Sequence, residues 1–480
     1  MLTRLEVNGF KNLVDFSVDF GPFTCIAGPN GAGKSNIFDV IRFLSLLTEH
    51  TLIEAALRIR DSDPDTTDIK DLFWCDGSER VTEFFLAAEM IVDPSVIDDF
   101  GRPAQASSTY LRYELRIGHE VELQAADSYE KLVLRHESLS YFTEGEASER
   151  IRFPHSAMHF RKSAISNARR TKKKMYISTE QVDGHTEILV HQEGQQGRPQ
   201  RAPAASAPRT IVCTSNTSST PTILAARREM QGWRILALEP SAMRRPDRLR
   251  ADSHISHDGG HLPATLYRLA SGTSGNGNPE EAEKHRAGIY ASVANRLAEL
   301  VPVESIRIDL DEKRKLLTLM LRERSGAELP AHALSDGTLR FLVLCILGSD
   351  PAARGLICME EPENGIHPGK MAAILELLKE IAVDPEHPVD DDNPLRQVIV
   401  ATHSPVFVQC QNKNDLIFVA RIRRKSGNGN MINIMKCLPL LNTWRSETAG
   451  GDHIGLSTLI AYLQKPENAP LQHELECNEP

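Results

Sequence analysis

The sequence predicts an α/β chain, with a mainly parallel core sheet, an antiparallel side sheet and an inserted α+β region. Three observations carry this prediction. A short apolar run at 23–27 leads into GPNGAGKS at 28–35, and then into a stretch at 36–47 with apolar residues at helical spacing. A second apolar run, 356–359, ends in two carboxylates, Glu360 and Glu361. A third, 397–401, ends in Thr402, His403 and Ser404. Short, mostly apolar runs fit strands buried on both faces, as in parallel sheets, and ligands of such sheets bind beyond the strands' C-terminal ends.

The bulk composition sets limits. The chain has 480 residues and is 41% hydrophobic, enough for a large core and two or three domains. Its formal net charge of −10 excludes a whole-molecule basic footprint, so any nucleic-acid contact must come from a local patch. No apolar run is long enough to span a bilayer, and no membrane partner is expected. The start, MLTRLEVNGFKNL, alternates like a strand and lacks the apolar stretch of a signal peptide. The eight cysteines are scattered without a CxxC pair, and Cys25, Cys345 and Cys358 lie in apolar runs. A reducing, cytoplasmic setting is the simplest expectation.

GPNGAGKS fits the phosphate-binding pattern G-x-x-x-x-G-K-[ST]. The strand before it and the helix after it, with Ile37, Val40, Ile41, Phe43 and Leu44 apolar, supply the context that pattern needs. Gly28, Gly31 and Gly33 let backbone N–H groups turn toward phosphate oxygens, and the helix N-terminus adds partial positive charge. Lys34 is expected to reach the β and γ phosphates and the Ser35 hydroxyl to hold Mg²⁺. Asn30, Gly31, Gly33, Lys34, Ser35 and Asn36 are the candidate nucleotide-binding residues of this segment.

The other half of the site is far away in sequence. Paired glutamates are ordinarily a solvated loop, but Glu360 and Glu361 follow a buried-strand pattern and precede Pro362. Glu360 is expected to hold Mg²⁺ through water, and Glu361 to orient or deprotonate the attacking water. His403, at the end of its own strand, is expected to sense the γ-phosphate. Between the two halves lies LSDGT at 334–338, ahead of a helix expected from Thr338 through Phe341 and Leu344. Ser, Asp and Gly are ordinary capping residues, which explains the serine but not its place in this motif order.

That order resembles the ABC-type ATPases, whose signature is LSGGQ-like. The resemblance implies that Ser335 and the Gly337 N–H bind the γ-phosphate of ATP held by a second copy, so that two chains pair head to head. LEVNGFKN at 5–12 resembles the opening of SMC-like and RecF-like ATPases, and it implies a place for Lys11 near the nucleotide. GPNGAGKSN, LSDGT, EEPENGIHP and ATHSP together resemble the OLD-like (overcoming lysogenization defect) ATPases, over residues 1–95 and 300–440. ATP and Mg²⁺ as cofactors, a homodimer, a separate effector protein, and work in nucleic-acid maintenance or antiphage defence are what this resemblance implies. The alternative is an ATP-gated scaffold with slow hydrolysis. Glu360 stands where most relatives have aspartate. Asp336 replaces a signature glycine and adds negative charge near phosphate, which is expected to slow hydrolysis. No Q-loop glutamine stands at 71–74. The stretch after His403 is short for a Toprim domain and has no DxD pair, so no intrinsic nuclease is expected.

The expected organisation is an N-terminal lobe at 1–144, an inserted region at 145–300, a C-terminal lobe at 301–465 and a tail at 466–480. Strands are expected at 81–92, 110–123 and 131–142. Arg161, Lys162 and the run ARRTKKK at 168–174 form a basic cluster. Residues 161–174 are therefore either a grip for DNA or RNA or an exposed charged loop. Residues 191–222, rich in Gly, Gln, Pro, Ala, Ser and Thr, are expected to be a mobile loop. Residues 233–238 are expected to return to the core. A helix at 280–300 carries Ile289, Val293, Leu297 and Leu300 on one stripe. A hairpin is expected around 306–310 and 317–321, a helix at 371–382, and a solvated loop at Asp390, Asp391 and Asp392. His254, His257 and His261 lie near Asp258, but no second ligand cluster supports a metal there. No heptad pattern persists long enough for a long coiled coil.

Overall fold

The computed structural model describes residues 1–60, 68–77, 79–124, 127–167, 175–193, 198–272, 279–425, 431–447 and 453–464. At its centre is a six-stranded sheet. Its order is Arg234–Leu236, Gly355–Glu360, Arg396–Thr402, Phe23–Ala27, Leu416–Lys425 and Met431–Pro439. The first five strands run parallel, and Met431–Pro439 closes the edge antiparallel. Alternate residues of each strand serve opposite faces. Ile26, Leu356, Cys358, Ile399 and Ala401 enter one apolar cluster, and Cys25, Ala27, Ile357, Met359, Val398 and Val400 enter another. Burial on both faces is why these strands read as mostly apolar runs.

The first cluster lies between this sheet and an eight-stranded antiparallel sheet, and includes Ile37, Val40, Ile41 and Phe43 of the helix Lys34–Leu46. The eight-stranded sheet contains the expected strands as Glu83–Ile91, Tyr110–Gln124 and Asp127–Tyr141. Leu2–Asn8 and Phe16–Asp19 extend it on one side, and Met175–Val182, His185–Val190 and Gln200–Pro203 on the other. The second cluster receives the helices Leu262–Ser271, Pro279–Ala298, Asp336–Ser349 and Met371–Ile381, over a small sheet that includes Val303–Asp311 and Leu316–Glu323. Among the described residues no helix is long and apolar enough to cross a membrane.

Two expectations need correction. The helix after LSDGT begins at Asp336 rather than Thr338, because Ser335 is extended and its hydroxyl caps the Thr338 N–H at 3.2 Å. Residues 191–222 are not loop throughout. Gln200–Pro203 is a strand paired with His185–Val190, and Thr210 caps the turn Ile211–Thr214. Composition reads small polar residues as loop, whereas cross-strand pairing gives them partners.

Candidate functional site

The C-terminal ends of three neighbouring parallel strands converge. Ala27 is in register with Thr402, and Glu360 with Ala401, so Gly28, Glu361 and His403 leave the sheet at one end. This is the crevice position where α/β sheets bind ligands.

The loop at 28–33 is shaped by close approach. A Cβ on Gly28 would lie 2.7 Å from the Val419 carbonyl, so the strand Leu416–Lys425 presses on the loop backbone. Gly33 has φ 106°, in the left-handed region, and is the N-cap of the helix Lys34–Leu46. The Lys34 ammonium donates to the carbonyls of Gly28 at 2.7 Å and Pro29 at 3.0 Å. Burial holds this ammonium below its usual range, opposed by Glu361, Glu360 and Glu363. Asn30 and Gly31 are exposed in the loop, and Ser35 is half-buried in the first turn of the helix. Asn36 donates to the Asn12 side chain at 2.7 Å. Lys11 is next to Asn12, whose side chain abuts Gly33. It pairs with Asp39 of the helix at 2.7 Å, and Arg60 shares that carboxylate at 2.7 Å.

Glu360 ends its strand exposed. Glu361 has φ 47°, a sparsely populated conformation for a non-glycine residue, stabilised by its N–H bond to the Ala401 carbonyl at 2.8 Å. Its Oε1 meets His403 Nδ1 at 2.7 Å, so the expected base and the expected sensor are joined. That bond takes a proton on Nδ1, and in the imidazolium form Nε2 carries a second N–H that can donate. Glu363, which the sequence reading did not single out, is 5% exposed and accepts from the Thr402 hydroxyl. Burial pushes Glu363 up to about 7; the Thr402 bond opposes this and the Glu361 charge adds to it. Glu361 Oε2 and Glu363 Oε2 are both buried without a hydrogen-bond partner as acceptors, and a proton held by Glu363 would join them. Arg421 was also missed. It reaches from the neighbouring strand to the Gly31 carbonyl. ENG after Glu361 reads as a turn and IRRK after Arg421 as a strand edge, so neither residue has a local signal.

Ser335 and Asp336 are exposed at the start of their helix. Ser335 lies 2.8 Å from the Thr338 hydroxyl as well as capping the Thr338 N–H. A Cβ on Gly337 would lie 3.2 Å from the Gly365 carbonyl, which packs the loop after the carboxylate strand against this turn. The Asp336 carboxylate is not bare. Arg244 pairs with it at 2.5 Å. Of the basic cluster, Arg161 and Lys162 lie in short helical turns, while 168–174 fall outside the described residues. Among the described residues no group of three or more His, Cys, Asp or Glu is arranged to hold a metal alone.

The site residues fit a magnesium nucleotide. A loop closed to a Cβ at Gly28 and Gly33 and a lysine beside carboxylates suit phosphates, and the hard oxygens of Ser35 and Glu360 are donors Mg²⁺ takes when phosphates complete its shell.

Two family models match the chain. One, described as "AAA domain, putative AbiEii toxin, Type IV TA system", matches residues 249–409. Another, an AAA domain, matches residues 4–63. An OLD nuclease of Thermus scotoductus is 51% identical over 41 residues, which are 8% of this chain and 8% of that protein. The chromosome partition protein Smc of Rhodopseudomonas palustris is 42% identical over 57 residues, 11% of this chain and 5% of that protein. The chain thus aligns with under a tenth of the length of either relative. Among solved structures, it is similar to an Smc head bound to the C-winged helix domain of ScpA, with TM-score 0.44, 14% identity, and coverage of 93% and 99% of the two chains. It is also similar to the SMC head domain from Thermotoga maritima, with TM-score 0.35, 12% identity, and coverage of 92% and 98%. The matched segments contain the P-loop, LSDGT, the carboxylate strand and His403, and through them the chain is similar to AAA-type ATPases of the SMC/OLD kind. Within that class it resembles the SMC/RecF-like branch and its OLD-like members.

Proposed function

We propose that the chain hydrolyses ATP at two sites shared between paired copies. The observation that carries this reading is the convergence of the P-loop, Glu361 and His403 at one end of the sheet, with Ser335 exposed at a separate helix start. Gly31, Gly33, Lys34 and the start of the helix Lys34–Leu46 bind the phosphates, with Asn30 and Asn36 at their margins. Ser35 and Glu360 hold Mg²⁺, whose charge offsets that of the phosphates. Glu361 orients the attacking water and takes its proton. His403 holds the Glu361 carboxylate by Nδ1 and turns Nε2 toward the γ-phosphate. Lys11, paired with Asp39, steadies the helix beside the nucleotide. Ser335 and the Gly337 N–H complete the site of the partner copy.

In this reading the lobes at 1–144 and 301–465 form the ATPase, and the region between them carries its specificity. By resemblance, the work is nucleic-acid maintenance or antiphage defence with a separate effector, with DNA or RNA held through 161–174. The alternative, an ATP-gated scaffold, differs only in turnover.

The test uses three variants. Lys34→Ala should lose ATP binding and turnover. Glu361→Gln should bind ATP, slow the chemical step and accumulate a closed dimer. Ser335→Arg should bind ATP but block closure. Light scattering with Mg-ATP and steady-state hydrolysis read all three. A Ser335→Arg protein that closes and turns over like its parent would leave Ser335 a helix cap and end the shared-site reading.

A further inference from the structure

The residue that neutralises Asp336 comes from a part of the chain with no motif of its own. The strand Arg234–Leu236 lies parallel to the carboxylate strand, Leu236 in register with Met359. The chain then crosses to the start of the helix Asp336–Ser349. The Leu238 carbonyl accepts from Arg340 of that helix at 3.2 Å. Buried Ala242 and Met243 seat the turn that follows. Arg244 Nη2 then donates to the Leu334 carbonyl at 2.9 Å and to Asp336 Oδ1. One guanidinium thus grips the residues on both sides of Ser335, and its +1 charge cancels the carboxylate at a position where LSDGT departs from the LSGGQ-like pattern.

We propose that Arg244 is a positioning residue for the shared site. It fixes the turn that presents Ser335 and cancels the Asp336 charge, so that the N-terminus of the helix Asp336–Ser349 can accept the γ-phosphate held by the partner copy. This rests on the shared-site reading above. In this arrangement the Asp336 carboxylate is offset before the phosphate arrives. A lone carboxylate there would repel the phosphate and offset the partial positive charge of the helix N-terminus. Because the same segment borders the carboxylate strand of its own chain, Arg244 joins the two sites of a pair.

The test separates charge from fold. Arg244→Ala should bind ATP at its own P-loop as the parent does, yet need about tenfold more protein for half-maximal hydrolysis, a modest effect because the pair is partly exposed. Asp336→Asn alone should close as well as the parent or better. Combined with Arg244→Ala, it should restore most of the lost closure, a rescue that a merely structural role for Arg244 would not produce. Equilibrium ATP binding, light scattering and hydrolysis across protein concentrations measure these effects, with melting curves to confirm the fold. If Arg244→Ala closes like the parent, or if the folded double variant is as defective as Arg244→Ala, the proposal fails while Ser335→Arg still blocks closure. If Ser335→Arg closes normally, both the proposal and the shared-site reading fall together.

Discussion

Gly33 shows how tightly one residue is specified in the loop. At φ 106° an alanine would be strained, and its Cβ would lie 2.4 Å from Asn12 Nδ2 and 2.9 Å from Met435 Sδ. Those atoms belong to the segment beside Lys11 and to the edge strand of the core sheet. Gly33→Ala is expected to destabilise by about 1–3 kcal/mol and to disturb the Asn12–Asn36 bond at the helix start. Urea unfolding checks the first effect, and a variant as stable as the parent would mean that the loop yields at no cost. Glu361 makes the complementary point: its left-handed backbone aims a carboxylate that Glu363 and His403 hold from two sides.

At the scale of the element, the turn Ile211–Thr214 is tied to the eight-stranded sheet by one buried carboxyl. Glu137 accepts from the N–H groups of Ile211 at 2.8 Å and Val212 at 3.1 Å, and from the Tyr113 hydroxyl at 3.0 Å. Burial nevertheless pushes it up to about 7 from 4.5. The folded state therefore holds this proton more tightly than the unfolded state does. The contribution is fully present below about pH 4.5 and is lost as pH rises through about 7, a change of about 3 kcal/mol at most. The stability of the parent should thus fall more steeply than that of Glu137→Gln between pH 4.5 and 8. Parallel urea midpoints for the two proteins would refute this. The same element explains why 191–222 looked like loop: its order comes from Glu137 and a neighbouring strand, not from its own composition.

Across the whole molecule, the two large sheets are joined at Gln397. This side chain has no exposed surface, and it bonds the Leu2 N–H at 2.8 Å, the Leu2 carbonyl at 2.7 Å and the Gly21 carbonyl at 2.8 Å. It thereby fastens the first strand of the antiparallel sheet to the middle of the parallel one. Gln397→Ala would leave three backbone groups buried without partners, at a cost of about 3 kcal/mol or more. Denaturant unfolding should show that loss, together with weaker ATP binding, because Phe23–Ala27 and Arg396–Thr402 carry the loop and the switch. Stability within about 0.5 kcal/mol of the parent would show that water or a shift of Leu2 replaces the amide.

By itself, the sequence determined the strands and the polar residues that stand at their ends. Buried parallel strands need apolar side chains on both faces, so 23–27, 356–359 and 397–401 were legible as runs, and the polar residues after them as a crevice. The hairpin of Val303–Asp311 and Leu316–Glu323 and the helix Met371–Ile381 were legible by period alone. Only the tertiary structure decided which side chains meet. Asp39 pairs with Lys11, His403 holds Glu361, Thr402 and Glu361 flank a buried Glu363, and Arg244 offsets Asp336 from 92 residues away. The reason is physical. Period and motif record how a residue sits on its own element, whereas an ion pair or a shared proton depends on distances between elements, and no local pattern in the chain encodes those.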